Sequence, residues 1–171
     1  RNGGHIYFPY DDSRYPIPAA DQAAYGSSAN MDARYVDRLY KAVKAESPGF
    51  KLVFCPPFYA GPGDDPSYAY NESRDDYLRS IRYNLDPEVD VFWTGPRVKG
   101  WYKTAEHMAW LTNLTHRAPM IFQNQTGPHN SVSYITDETD HWLTWHYDRF
   151  FTNDIAGYLK NAHMGTEAPQ T

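Results

Sequence analysis

Short apolar runs alternate with segments of helical period along this chain, and that order restricts the fold more than any other feature. HIYFPY (5–10) reads as a strand. NMDARYVDRLYKAVKAE (30–46) carries Tyr35, Val36, Leu39, Tyr40 and Val43 at helical spacing, with Asn30 as the expected N-cap and Pro48-Gly49 as the stop. FKLVFC (50–55) is continuously apolar, as strands buried on both faces are. SRDDYLRSIRYNL (73–85) returns to the helical period through Tyr77, Leu78, Ile81 and Leu85. VDVFWTG (89–95) predicts a strand, KTAEHMAWLTNLT (103–115) a helix with Met108, Leu111 and Leu114 on one side, and APMIFQN (118–124) a strand. From Asp137 onward the expectation is helix, with DRFFTN (148–153) as a last strand. A β-α-β-α-β-α-β order is that of an α/β fold with a parallel sheet and crossover helices.

In such sheets ligands collect at the carboxyl ends of the strands. Each expected strand here ends in polar or aromatic residues: Asp11-Asp12, Cys55 through Tyr59, Trp93-Thr94-Gly95, and Gln123-Asn124. The first pair stands out. Two adjacent carboxyls at a turn aim into one site, and ionising both costs Coulomb energy, so one pKa rises. That separation keeps a proton donor beside an ionised partner near neutral pH. A solvated turn is the alternative, since Asp and Ser are ordinary turn residues.

The bulk numbers exclude several function classes. At 171 residues the chain is long enough for a core, and 41% of it is hydrophobic and 16% aromatic. A net charge of -5 argues against nucleic acid and anionic membranes as partners. No stretch is long and apolar enough to span a membrane as a helix. With one cysteine, Cys55, no intrachain disulfide forms; it reads as a buried thiol. Three sequons, at Asn71, Asn113 and Asn124, would be glycan acceptors on surface loops of a secreted protein, and they favour secretion mildly over a cytoplasmic location. A strand within a few residues of the first one reads as the start of a fragment or processed chain. No Gly-rich phosphate loop is present, no cofactor is expected, and DETDHW (137–142) has the spacing of no standard metal site. His141 and His146 are expected to be structural.

Three stretches carry a resemblance. FCPPFYAG, YLRSIRYNLDPEVDVFWTGPRV and RAPMIFQN, in that order, resemble the catalytic domain of family 84 glycoside hydrolases, the O-GlcNAcases and hyaluronidase-type β-N-acetylglucosaminidases. The family reads approximately FCPTEY, then WTGP.V, then RAPVIWDN, and its FDDI pair falls where this chain has FPYDDS. The resemblance runs from about His5 to Asn153. It implies a TIM-type (β/α)8 barrel of which residues 1–171 form one partial catalytic domain, supplying roughly strands 4 to 8 with their helices. The N-terminal strands would then come from a second chain or another part of the same protein.

The resemblance also implies a chemistry. In that family the substrate's own 2-acetamido oxygen attacks C1, an oxazoline forms, and water opens it with retention. Asp11 would orient the acetamide and Asp12 would be the general acid/base. Tyr59 matches the tyrosine of FCPTEY, with a core tyrosine as the alternative. Asn124 matches the asparagine of WDN, against a turn or a glycosylated residue. Asn153 in FFTND resembles a late sugar-binding asparagine, and Val98 falls beside the acetamide methyl or in the core. Phe122 stands where the family has Trp, keeping an apolar wall without an indole donor. Gln123 replaces an Asp, Phe58 a Glu, and Pro128-His129 the Asn-Asp that grips outer hydroxyls; His129 and Asn130 are the substitutes at hand. The implied activity is removal of β-linked N-acetylglucosamine from a glycan or glycoprotein. The alternative is a glycan-binding or assembly subunit of the same fold without turnover.

Overall fold

The structure is a computed structural model that describes residues 5–11, 16–63, 72–98, 103–123 and 156–160. Among them the elements run β1 (Ile6–Pro9), α1 (Ala19–Tyr25), α2 (Ser28–Glu46), β2 (Leu52–Cys55), α3 (Arg74–Asn84), β3 (Asp90–Trp93), α4 (Ala105–Thr115), β4 (Pro119–Gln123) and β5 (Gly157–Lys160). The strands form one sheet in the order β1-β2-β3-β4-β5. Every pairing is parallel, with Phe8 opposite Phe54, Phe54 opposite Val91, Phe92 opposite Met120, and Met120 opposite Gly157. The spatial order never reverses, so the sheet is wound in one direction, unlike a doubly wound fold.

Alternation along each strand separates two surfaces. Leu52, Phe54, Val91, Trp93 and Ile121 point to the helices, where they join Ala33, Val36 and Tyr40 of α2, Tyr77, Leu78 and Ile81 of α3, and Met108, Leu111 and Leu114 of α4 in the main core. That one core takes in all three crossover helices puts them on one side of the sheet. Val53, Cys55, Phe92 and Phe122 point the other way and form a second, smaller cluster with Tyr59, Ala60 and Val98.

The starts of α2, α3 and α4 are set by hydroxyl caps. Ser27 accepts from the Asn30 amide at 3.1 Å and Ser73 from the Asp76 amide at 3.1 Å. Thr104 accepts from the His107 amide while His107 Nδ1 accepts from the Thr104 amide. Each such bond satisfies a donor that the first turn leaves open, worth about 1 kcal/mol.

Several expectations need correction. Ser27, not Asn30, caps α2, and Asn30 lies inside it. The buried stripe of α2 is Ala29, Asp32, Ala33, Val36 and Tyr40, whereas Tyr35 is 56% exposed. Helix α1 was not expected, because it buries none of its residues and so has no apolar stripe to read. The last described strand is Gly157–Lys160, in a stretch expected to be helical; DRFFTN lies outside the described residues. Asn113 is exposed, but it sits on α4 and not on a loop.

Candidate functional site

The carboxyl ends of β1, β2 and β3 converge on the sheet face away from the helices. β1 ends in a left-handed turn: Asp11 has φ 47°, so the chain leaves the strand direction there. Asp and Asn are the non-glycine residues that tolerate this region, since their short side chains hydrogen-bond locally. Asp11 is exposed. The residue before it is pinned, its backbone N–H donating to the Cys55 carbonyl at 2.9 Å.

Beneath that turn stands Tyr7, on the same face two strands from Phe92. Their ring centroids are 5.2 Å apart, and Phe92 in turn lies 4.6 Å from Phe122. The Tyr7 residue is 43% exposed, yet its hydroxyl end meets buried groups. Burial pushes its phenol well above the ordinary range, reinforced by a hydrogen bond to Cys55 and by the nearby Cys55, Asp11 and Tyr59. Tyr7 therefore stays protonated and can donate. Cys55 is buried and free of any disulfide.

The loops after β2 and β3 are tied together. The Tyr59 carbonyl accepts from the Thr94 amide at 2.9 Å and from the Thr94 hydroxyl at 3.3 Å. The Gly61 amide donates to the Gly95 carbonyl at 2.9 Å, and the buried Trp93 Nε1 donates to the Gly61 carbonyl at 3.1 Å. The Arg97 carbonyl accepts from the Thr94 hydroxyl at 3.1 Å, which turns the chain toward Val98. These loops leave no room for a side chain: a Cβ on Gly61 would come within 2.3 Å of Trp110 Cη2, and one on Gly95 within 2.6 Å of Lys103 Cε. Lys103 is buried against that glycine, and desolvation pushes its ammonium down to about 7.

Of the expected site residues, the structure brings four to this end of the sheet. Asp11 lies on the turn. Tyr59 is buried, its ring edge-on to Phe92 at 6.2 Å. Val98 and Phe122 are half-buried against the same cluster. Asp12, Asn124 and Asn153 lie outside the described residues. Phe58, which stands in the place of a family glutamate, faces the helices instead, 5.1 Å from Tyr77. Sequence reading missed Tyr7 and Phe92; a strand phase fixed by Phe8 and Val91 on the helix side would have placed both on the opposite face. It also missed Asp32, an acid on the apolar stripe of α2.

Comparisons with known proteins bear on this arrangement. Residues 4–134 match the family model described as beta-N-acetylglucosaminidase. Protein O-GlcNAcase of Mus musculus is 30% identical over 116 residues, 67% of this chain and 12% of that protein. The Rattus norvegicus Protein O-GlcNAcase is 30% identical over 115 residues, again 67% of this chain and 12% of the other. The chain thus spans about 12% of the length of these relatives. Among solved structures, an O-GlcNAc hydrolase mutant from Thermobaculum terrenum superposes with a TM-score of 0.59 at 21% identity, over 92% of this chain and 31% of that one. That likeness is one of fold.

Proposed function

Since the chain belongs to the beta-N-acetylglucosaminidase family, we propose that it forms the catalytic side of a glycoside hydrolase that removes β-linked N-acetylglucosamine from a glycan or glycoprotein. The observation that carries this reading is the left-handed turn at Asp11, at the carboxyl end of β1 and above Tyr7, on the face shared with Tyr59, Val98 and Phe122.

The sheet is read as an arc of a (β/α)8 barrel. Strands in one sequential order, with their crossover helices on one side, are the geometry of such an arc. β1 to β5 then correspond to barrel strands 4 to 8, and about three more strands complete the closure, from a second chain or another part of the same protein. The smaller cluster becomes part of the barrel interior, and the Asp11 turn part of its catalytic rim.

The proposed chemistry is substrate-assisted and retaining. Asp11 accepts the acetamide N–H and raises the nucleophilicity of its carbonyl oxygen. That oxygen attacks C1 and the glycosidic C–O bond breaks. Asp12 delivers a proton to the departing oxygen, then takes one from the water that opens the oxazoline. Phenols at Tyr7 and Tyr59 supply neutral donors near the acetamide, and Val98 and Phe122 supply apolar walls for the sugar. Phe122, Gln123 and the Pro128-His129 pair bear on which glycan is accepted, since a site that grips hydroxyls through a charged acceptor discriminates strongly and loses that when the acceptor is replaced.

Hydrolysis of a chromogenic aryl N-acetyl-β-glucosaminide by the full-length protein, beside its Asp12→Asn variant, tests the reading. Turnover that falls by at least about 100-fold in the variant is the expected result for loss of a general acid/base. A wild-type protein that binds the sugar and never turns over an activated substrate refutes it in favour of a glycan-binding role.

A further inference from the structure

Thr94 follows Trp93 at the carboxyl end of β3 and is 1% exposed. A valine has nearly the same shape, so the hydroxyl is what this residue adds, and a buried hydroxyl finds its partners within the protein. Three contacts leave Thr94. Its N–H donates to the Tyr59 carbonyl at 2.9 Å, and its hydroxyl lies 3.3 Å from that carbonyl and 3.1 Å from the Arg97 carbonyl. A hydroxyl has one proton to give. The Tyr59 carbonyl already accepts the shorter N–H bond, so the hydroxyl proton goes to Arg97.

Both carbonyls adjoin candidate site residues. The Arg97 carbonyl belongs to the planar peptide that ends at the Val98 Cα. Holding its oxygen fixes the rotation of that plane, and with it the direction in which the Val98 side chain leaves the backbone. Val98 and Tyr59 pack in the same small cluster with Phe92. The two loops also run in backbone contact. The Gly61 amide bonds the Gly95 carbonyl, and a Cβ on Gly63 would come within 2.6 Å of the Pro96 carbonyl oxygen. Those contacts seat residues 59–63 against 94–96, and the Thr94 hydroxyl extends the order to the peptide before Val98. We propose that Thr94 is a positioning residue for substrate selection: its N–H holds the peptide after Tyr59, its hydroxyl holds the peptide before Val98, and the spacing of phenol and apolar wall is set through this one residue.

The selectivity readout rests on the glycosidase reading, with Val98 as the wall beside the acetamide methyl. A wall held in place rejects a longer acyl chain, and a wall free to swing admits it. One methylene in an apolar pocket is worth about 10–200-fold. The test uses full-length, unglycosylated protein and aryl β-glucosaminides carrying an N-acetyl or an N-butyryl group. Thr94→Val is expected to lower the acetyl-to-butyryl ratio of kcat/KM at least about fivefold, and Thr94→Ser, which keeps the hydroxyl, to stay within about twofold of wild type. Thr115→Val is the control. Thr115 is also buried, and its hydroxyl donates to the Leu111 carbonyl at 2.9 Å where α4 leads into β4, at the opposite end of the sheet. That variant should lower the unfolding midpoint and leave the ratio unchanged. An unchanged ratio in Thr94→Val, no recovery in Thr94→Ser, or an equal change in Thr115→Val overturns the proposal. If Thr94→Val does not fold, Thr94→Ala reads the same ratio, with room for a water to satisfy the carbonyl. Crystals of wild type and Thr94→Val decide the geometry without turnover: a displaced Val98 Cβ beside an unmoved Tyr59 is expected, and coincident Val98 positions refute it. A wild-type protein inert toward both substrates would instead refute the glycosidase reading.

Discussion

Gly61→Ala tests how tightly the loop after β2 is held. An added methyl would sit 2.3 Å from Trp110 Cη2 and 2.9 Å from Cζ2 and Cζ3. Ordinary carbon contacts lie at about 3.5–4.0 Å, so something must move by more than about 1 Å. The indole is hindered, because the Arg74 guanidinium lies over it at 4.8 Å and Arg74 also donates to the Pro62 carbonyl at 3.3 Å. The loop is hindered too, because lifting Gly61 breaks its bonds to Gly95 and Trp93. Overpacking of this kind costs about 1–3 kcal/mol. The backbone adds to it: Gly61 has φ 155°, where a side chain brings roughly 1–2 kcal/mol of strain. The expected loss is about 2–5 kcal/mol in urea unfolding followed by tryptophan fluorescence, with the slope unchanged. A second variant separates the two parts. In a Trp110→Ala background the clash is gone, and Gly61→Ala should cost only its backbone share, about 1–2 kcal/mol. A loss under about 0.5 kcal/mol in the wild-type background would refute the reasoning, since that is the range of an unconstrained surface change. So would an equal loss in both backgrounds.

Two further outcomes are expected. Trp93→Phe keeps most of the buried ring and leaves the Gly61 carbonyl without its indole donor, so unfolding free energy should drop by about 2–3 kcal/mol, read from the same denaturation. Asp32 makes stability fall with rising pH: its carboxyl is raised from 3.8 to about 6 in the fold, so the folded state holds the extra proton between those values and loses that advantage above them. Unfolding measured from pH 4 to pH 7 should show a decline of roughly 3 kcal/mol from this group, flattened in Asp32→Asn, and the same slope in both proteins would contradict it.

The sheet and its helices were legible because their signal is burial itself. Leu52 to Cys55 and Val91 to Trp93 are apolar without interruption, and Tyr77, Leu78 and Ile81 recur at the helical period. Elements without buried stripes gave no such signal. Helix α1 follows Pro16 and Pro18 and buries nothing, so its alanines read as loop. β5 begins at a glycine, a poor strand former, and its strand character depends on β4 being there to pair with. The cap of α2 was misread because both Ser27 and Asn30 are capping types; the side-chain bond from Ser27 decides between them. For the candidate site, strand ends pointed to Asp11 and Tyr59, and Val98 came only from the family resemblance. Tyr7 was hidden by an alternation that counts hydrophobic residues but does not say which face is the core. Asp32 was hidden because its hydrogen-bond donor, Tyr77, is distant in sequence and meets it only in the packed chain.

The division of each strand between two faces bears on how such a chain changes over time. Leu52, Phe54, Val91, Trp93 and Ile121 answer to the helices, and a polar replacement at any of them is selected against by unfolding. Tyr7, Val53, Phe92 and Phe122 answer to whatever occupies the other face. Point substitutions can therefore rewrite the chemistry of one face while the other stays fixed. A one-residue insertion inside a strand has no such freedom, because it exchanges the two faces at once. Variation in ligand preference should accordingly accumulate as substitutions within strands and as length changes only in the loops between them.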